Sequence, residues 1–132
     1  ARALGDFLIV GVNSDASTRA LKGPGRPIVP AEERAAVVAA LACVDRVVIF
    51  SSLTAEALVE ALRPQVYVKG GDWRPGEARG GEQGPPEAAV VARYGGRVVF
   101  LPYLPGHSTS DLIARIAALA AGRPEGEGHG DR

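Results

Sequence analysis

The sequence lacks several features that would point to particular classes of protein. Its 15 basic and 15 acidic residues give zero net charge, so the basic surface expected of a nucleic-acid or membrane-surface binder is missing. No apolar run approaches the length needed to span a membrane. The single cysteine, Cys43, cannot form an internal disulfide. We expect it to be a core residue in a reducing compartment, because it lies in an apolar run with no histidine near it. These absences favour a cytoplasmic protein that binds a small ligand.

Lysine is also scarce. Of the 15 basic residues only Lys22 and Lys69 are lysines, and both lie in glycine-containing segments after predicted strands. A compact ammonium on a flexible stem suits phosphate binding. The two positions are therefore candidates for holding phosphate, with chance placement as the alternative.

The rest of the composition is that of one globular domain. A chain of 132 residues with 46% hydrophobic and 23% charged residues can bury a core. Residues 122–132 have almost nothing to bury, and we expect them to be a disordered tail. The domain is therefore predicted to span residues 1–121.

Apolar runs typical of buried strands alternate with helical patterns. This alternation predicts an α/β fold with a mostly parallel sheet and helices on both faces. Residues 14–30 are predicted to form a long loop, and the helix after Pro30 should cover the sheet with Val37, Ala40, Leu41 and Val44. The predicted strands are Phe7–Val12, Arg46–Phe50, Val66–Val68 and Arg97–Leu101.

Polar residues follow three of these strands. The segment V-K-G-G-D-W ends the third strand in a lysine, two glycines and an aspartate, and the alternative to a ligand loop is a simple Gly-Gly turn. Carboxyl ends of parallel strands share one edge of a sheet. We therefore expect the loops at 13–26, 69–74 and 102–110 to converge on a ligand, and their chemistry suits phosphate.

The sequence S-T-S-D at 108–111 precedes apolar residues at helical spacing. It predicts a helix start capped by hydroxyl groups. Exposed amides and hydroxyls at a helix start can also bind an anion, and both interpretations stay open. His107, just before this helix, is expected to shape the turn.

Several short motifs, in this order and spacing, resemble one family. That family is the nucleotidyltransferase domain of bacterial ADP-heptose synthases, the D-glycero-β-D-manno-heptose 1-phosphate adenylyltransferases, which are relatives of the glycerol-3-phosphate cytidylyltransferases. The resemblance covers residues 1–116. The motifs are N-S-D (13–15), L-K-G (21–23), R-P-I-V-P (26–30), E-R (33–34), V-D-R-V-V (44–48), V-K-G-G-D-W (68–73), G-G-R-V-V (95–99) and H-S-T-S-D-L-I (107–113).

The resemblance implies a Rossmann-like domain that transfers AMP from ATP to a sugar 1-phosphate with Mg²⁺, releasing pyrophosphate. The product would be ADP-heptose, for lipopolysaccharide core or related glycan synthesis. A capping role at the strand end is the alternative for Asp15. The resemblance assigns catalytic roles to Lys22, Arg34 and Thr109, nucleotide binding to Lys69, Gly70, Gly71, Asp72, Ser108, Thr109 and Ser110, and substrate binding to Asp15 and Arg26.

One hallmark of the family is missing from this chain. His-x-Gly-His, which follows the first strand in the family, does not occur here. The resemblance therefore implies that a first, central strand is missing from this chain, which leaves Phe7–Val12 and Val66–Val68 without a shared neighbour. On this basis we expect an N-terminally truncated chain that is poorly stable and inactive.

Two other functions remain open at this stage. One is a cytidylyltransferase acting on a small phosphorylated alcohol such as glycerol 3-phosphate. The other is a non-catalytic nucleotide-binding module or inactive fragment. The sequence also leaves open whether a sugar kinase is fused to the domain or partners it, and whether the domain forms a homo-oligomer.

Overall fold

The computed structural model describes residues 1–71 and 84–121. The chain divides into two compact units, Ala1–Leu101 and Pro102–Arg132, and each is described by itself. Within the described residues, no helix has both the length and the apolar character needed to cross a membrane. In the first unit a short 3₁₀ helix precedes β1 (Ile9–Asn13), α1 (Asp15–Lys22), α2 (Ala31–Ala39), β2 (Arg46–Phe50), α3 (Glu56–Leu62), β3 (Val66–Gly70), α4 (Pro86–Arg93) and β4 (Arg97–Leu101). The second unit contains α5 (Thr109–Ala121).

The strands form two parallel pairs, which confirms the predicted α/β class. Strand β1 pairs with β2, with Ile9 opposite Arg46, and β3 pairs with β4, with Val66 opposite Arg97. Valine and isoleucine are frequent in all four strands, as expected for strands that pack on their faces. In the described part of the chain, β1 and β3 each have a strand partner on one side only. This agrees with the expectation that Phe7–Val12 and Val66–Val68 have no shared neighbour.

The second and fourth strands have the predicted boundaries, whereas the first begins later. The side chain of Phe7 is 60% exposed. The N–H of Leu8 donates to the Asp45 carboxylate at 2.7 Å. The strand therefore starts at Ile9, and it includes Asn13, which was predicted to lie beyond its end.

The prediction of a loop over residues 14–30 is wrong for its first half, which is helix α1. Ser14 caps the helix, since its hydroxyl accepts a hydrogen bond from the Ser17 N–H at 3.3 Å. Asp15 lies in the first turn and Lys22 in the last, where each charge complements the helix dipole. Gly23, with φ of 95°, ends the helix in a backbone conformation that favours glycine.

The predicted buried face of the next helix is also wrong. Val37 and Leu41 are 69% and 52% exposed, and α2 ends at Ala39. The residue buried most deeply is Ala31, which is 2% exposed. In an alanine-rich helix several faces are nearly equally apolar, so spacing alone did not identify the buried one. Cys43, predicted to be a core residue, is exposed in the turn that follows α2.

Helix α3 packs against both strand pairs. Leu58 and Phe50 lie beside Gly11 of β1, where an added Cβ would be 3.2 Å from Leu58 Cδ2. The adjacent Val59 is 4% exposed and belongs to the core of the β3–β4 side. That core consists of Val59, Val90 and Val91, with Ala55, Tyr67, Tyr94 and Val98 packed against it.

Candidate functional site

Polar groups cluster at the carboxyl end of β1 and along β3. The first group, here called the β1 cluster, consists of Asn13, Ser14, Asp15, Ser17 and Arg34. The second group, the β3 cluster, consists of Tyr67, Lys69, Glu87 and the N–H of Ala55. The two clusters have no residue in common.

The β1 cluster is organised by Arg34, from the first turn of α2. Its Nε donates to the Val29 carbonyl at 2.9 Å. Its Nη2 donates to the Asn13 carbonyl at 2.9 Å and to Asp15 Oδ1 at 3.0 Å. Three of the five N–H donors of the guanidinium are therefore used to connect α2 to the end of β1 and the start of α1. Sequence reasoning had anticipated both Asp15 and Arg34, but not their ion pair.

The remaining members of the β1 cluster form hydrogen bonds with one another. Ser17 is 2% exposed. Its hydroxyl donates to the Ser14 carbonyl at 3.2 Å and accepts from Asn13 Nδ2 at 3.2 Å. A buried hydroxyl with such partners stabilises the turn between β1 and α1. These three residues set the direction in which α1 leaves the strand.

The other predicted residues of this region lie along and beyond α1. Lys22 is the last residue of the helix and is exposed, and within the described residues it takes part in no ion pair. Arg26 is partly buried, and its N–H donates to the Gly23 carbonyl at 3.1 Å. Lys22 is therefore available to a ligand at the end of α1.

The β3 cluster joins Lys69 to a residue that sequence reasoning missed, Glu87. Lys69 Nζ donates to Glu87 Oε2 at 3.1 Å. The N–H of Ala55, just before α3, donates to Glu87 Oε1 at 2.9 Å. The Glu87 side chain is 3% exposed and that of Lys69 is 40% exposed. The only sequence signal was an acid in the first turn of a helix, which is ordinary at that position.

The pKa values of Glu87 and Tyr67 are shifted by burial and by these contacts. Burial alone would raise the pKa of Glu87. Hydrogen bonds from the Ala55 N–H and from Lys69 outweigh that effect and leave the Glu87 pKa below its ordinary value. Burial raises the pKa of Tyr67 strongly, and the negative charge of Glu87 raises it further. Near neutral pH Glu87 is thus a carboxylate and Tyr67 a neutral phenol.

The glycines after Lys69 have different surroundings. Gly70 is exposed, and a Cβ added there would meet no described atom within 4 Å. Gly71 is buried with φ of 121°, and its N–H donates to the Leu101 carbonyl at 2.9 Å. The Gly71 amide already has an acceptor, whereas beside Gly70 the described residues leave open space. Asp72, predicted to bind the nucleotide, lies outside the described residues.

In the second unit, Ser108 caps α5 as the sequence predicted. Its hydroxyl accepts a hydrogen bond from the Asp111 N–H at 3.0 Å. Thr109 and Ser110 are the first two residues of the helix. The His107 ring contacts the Pro105 carbonyl through Nδ1 at 2.9 Å, in keeping with its predicted role in the turn.

Two further observations bear on what the first unit can bind. A cleft of about 370 Å³ lies at the other ends of β1 and β3, lined by Phe7, Leu8, Val66 and Val68 among others, and none of the described ligand candidates lines it. In residues 1–71 and 84–121, no group of three or more His, Cys, Asp or Glu residues could hold a metal ion.

Comparison with known proteins identifies similar chains. Residues 1–115 match a family model described as cytidylyltransferase-like. The chain is 50% identical over 117 residues to Bifunctional protein HldE of Streptomyces coelicolor, and 47% identical over 116 residues to Bifunctional protein HldE of Syntrophotalea carbinolica. These matches cover 89% and 88% of the chain but 24% and 22% of the relatives. The chain thus spans less than a quarter of the length of these curated relatives.

A solved structure has a similar fold. It is described as the lipopolysaccharide core biosynthesis protein from Thermoplasma volcanium GSS1. The match has a TM-score of 0.56 and 24% sequence identity, and it covers 78% of this chain and 77% of that one. At this identity the likeness concerns the fold alone.

Proposed function

Because the chain belongs to the cytidylyltransferase-like family, as its motifs predicted, we propose that the full-length protein transfers AMP from ATP to D-glycero-β-D-manno-heptose 1-phosphate. The products would be ADP-heptose, for lipopolysaccharide core or related glycan synthesis, and pyrophosphate. The observation that carries the proposal is the family match over residues 1–115, and the proposed substrate is taken from the resemblance of the motifs to the heptose 1-phosphate adenylyltransferases. A sugar kinase, fused or separate, would supply the sugar 1-phosphate.

The proposed step is an in-line displacement at phosphorus. A phosphate oxygen of the sugar 1-phosphate attacks the α-phosphorus of ATP, and the bond from that phosphorus to the bridging oxygen of the β-phosphate breaks. The electron pair leaves with pyrophosphate. Such a reaction depends mainly on alignment of the two substrates and on stabilisation of the charge around phosphorus.

The described residues offer cations for this purpose. Lys22 is exposed at the end of α1, and Lys69 is partly exposed at the end of β3. In Arg34 the two N–H groups of Nη1 remain beyond the three donors already used. We propose that these groups neutralise the phosphates of the nucleotide, that Gly70 and Gly71 border it, and that Asp15 and Arg26 contact the sugar phosphate.

Mg²⁺ would enter with the nucleotide. The described residues provide no cluster of metal-binding side chains, and Mg²⁺ is commonly held by substrate phosphates with one or two carboxylates. When bound, Mg²⁺ would neutralise phosphate charge. We also propose that Thr109, Ser108 and Ser110 contact the departing pyrophosphate, since they lie at a helix start.

The family description favours one second candidate, cytidylyl transfer to a small phosphorylated alcohol. The two are separated by measuring pyrophosphate release from the full-length protein with ATP plus heptose 1-phosphate and with CTP plus glycerol 3-phosphate. Release only in the assay with ATP plus heptose 1-phosphate supports the proposal. Release only in the assay with CTP plus glycerol 3-phosphate supports the second candidate. If neither pair reacts, both proposals fail and a non-catalytic module is favoured.

Lys22→Ala provides a residue-level test of the same proposal. Removing an exposed ammonium from a developing phosphate charge should lower kcat about tenfold to a hundredfold. The melting temperature should fall only slightly and as much as in the control, because Lys22 makes no ion pair within the described residues and both cations lie in the last turn of α1. Arg19→Ala, one turn earlier in α1 and also exposed, is the matched control. Unchanged turnover of Lys22→Ala would remove this lysine from the site.

A further inference from the structure

The two partners of the Lys69–Glu87 ion pair are buried to different degrees. The Glu87 carboxylate is 3% exposed, whereas the Lys69 side chain is 40% exposed. A buried carboxylate keeps its charge only while its partners remain in place, so Glu87 has little freedom to move. Lysine, by contrast, has a flexible stem. The position of the pair is therefore set by Glu87.

Glu87 is itself fixed from two directions. It lies in the first turn of α4, after Pro85 and Pro86, where the helix dipole favours a negative charge. Its Oε1 accepts a hydrogen bond from the Ala55 N–H at 2.9 Å, and Ala55 is an N-cap residue without a capping side chain. One carboxylate thus satisfies a donor at the start of α3 and holds the lysine at the end of β3.

Among the described residues, the Lys69 ammonium keeps donors with which it could bind a ligand. An ammonium has three N–H donors, and Glu87 accepts one of them. The neighbouring Gly70 is exposed, with no described atom within 4 Å of where a Cβ would lie. An anion could therefore approach this strand end while the Lys69–Glu87 contact persists.

We propose that Glu87 is a positioning residue for Lys69. Glu87 holds the Lys69 ammonium at the end of β3, where the ammonium contacts a phosphate of the bound nucleotide. The identity of that anion rests on the function proposed above. Glu87 does not itself touch the nucleotide, because its two carboxylate oxygens contact Ala55 and Lys69. Its effect on transfer therefore depends on the presence of Lys69.

A double-mutant cycle in the full-length protein tests this dependence. The variants are Lys69→Met, Glu87→Gln and the two combined, and kcat and KM for ATP are measured by pyrophosphate release. Glu87→Gln should lower kcat/KM for ATP about tenfold or more in the presence of Lys69, from the usual strength of charge-assisted contacts. In the Lys69→Met background the same change should lower it less than about twofold.

Two further variants separate positioning from stability. Glu60→Gln is the matched control, since Glu60 of α3 pairs with Arg93 of α4 across the same two helices, but on an exposed surface. It should leave kcat/KM unchanged. Glu87→Asp keeps the negative charge on a side chain that is shorter by one methylene. This variant should therefore be more active than Glu87→Gln but less active than the unaltered protein. If Glu87→Gln does not fold, Glu87→Asp replaces it in the cycle, with the same dependence on Lys69 expected.

The outcomes are distinguishable. If glutamine at position 87 lowers activity by the same factor with and without Lys69, the role of Glu87 is structural and the inference is overturned. The same holds if the loss follows the fraction of protein unfolded in melts. If the unaltered protein transfers no nucleotide from ATP or CTP, the proposed function fails and the inference fails with it.

Discussion

Replacing Arg34 by lysine tests whether the geometry of its guanidinium, rather than its charge, holds the β1 cluster together. The guanidinium makes two hydrogen bonds to backbone carbonyls, both at 2.9 Å, and one to Asp15. A hydrogen bond from a charged donor contributes about 1.5 kcal/mol at the low end of its range. The Arg34 and Asp15 side chains are 27% and 37% exposed, so their ion pair adds only about 0.5 kcal/mol.

Lysine keeps the charge but can replace only one of the carbonyl contacts. The expected loss is about 2 kcal/mol in the free energy of unfolding, because one carbonyl contact and the ion pair are removed. For a chain of this size the melting temperature should fall by about 6–10 °C. Urea unfolding followed by circular dichroism measures the change as a shift of the midpoint at constant m-value.

Asp15→Asn is the control for this experiment. It removes the ion pair and leaves both carbonyl contacts of Arg34, so the expected loss is less than about 1 kcal/mol. The reasoning is refuted if Arg34→Lys unfolds at the same urea concentration as the unaltered protein. It is also refuted if Asp15→Asn is as destabilising as Arg34→Lys, since the ion pair would then dominate the cluster.

Three more predictions concern the β3–β4 side of the first unit. Gly96→Ala should lower the free energy of unfolding by about 1–3 kcal/mol, because the added Cβ would lie 2.8 Å from Tyr94 Cε2 and 3.1 Å from the Pro64 carbonyl; equal urea midpoints for the two proteins would contradict this. Tyr94→Phe should be neutral or stabilising by up to about 1 kcal/mol, because the buried Tyr94 hydroxyl has no hydrogen-bond partner among the described residues; a clear loss in thermal melts would indicate a partner. Since folding lowers the pKa of Glu87, this group stabilises the fold above the pKa of about 4.3 that glutamate has when unfolded, and its contribution is lost as pH falls through the lower folded value. Urea midpoints between pH 7 and pH 3 should therefore decline less steeply in Glu87→Gln, and parallel declines would disprove the contribution of Glu87.

The sequence predicted the strands best. Arg46–Phe50 and Arg97–Leu101 were predicted with the boundaries that the structure shows, because continuous β-branched runs between turn residues have few alternatives. Helix α1 was missed since its residues are mostly polar, and Ser14 and Asp15 are equally common in turns and at helix starts. The buried face of α2 was assigned wrongly because its many alanines blur the periodic signal on which such assignments depend.

The candidate site was predicted as a set of residue types but not as a set of contacts. Lys69 was identified from its place at the end of a strand, and Asp15 and Arg34 from motifs. Glu87 was not identified, because nothing in its local sequence distinguishes a helix-start glutamate in solvent from one buried against a lysine 18 residues away. Only the packing of α4 beside β3 and α3 provides that information.

The seven-residue helix α3 contacts both strand pairs of the first unit. Two consecutive side chains of this helix pack against different strand pairs. Leu58 packs against Gly11 of β1, and Val59 packs in the core beside β3 and β4. The Ala55 N–H, just before this helix, donates to Glu87, so α3 is also connected to the carboxylate that holds Lys69.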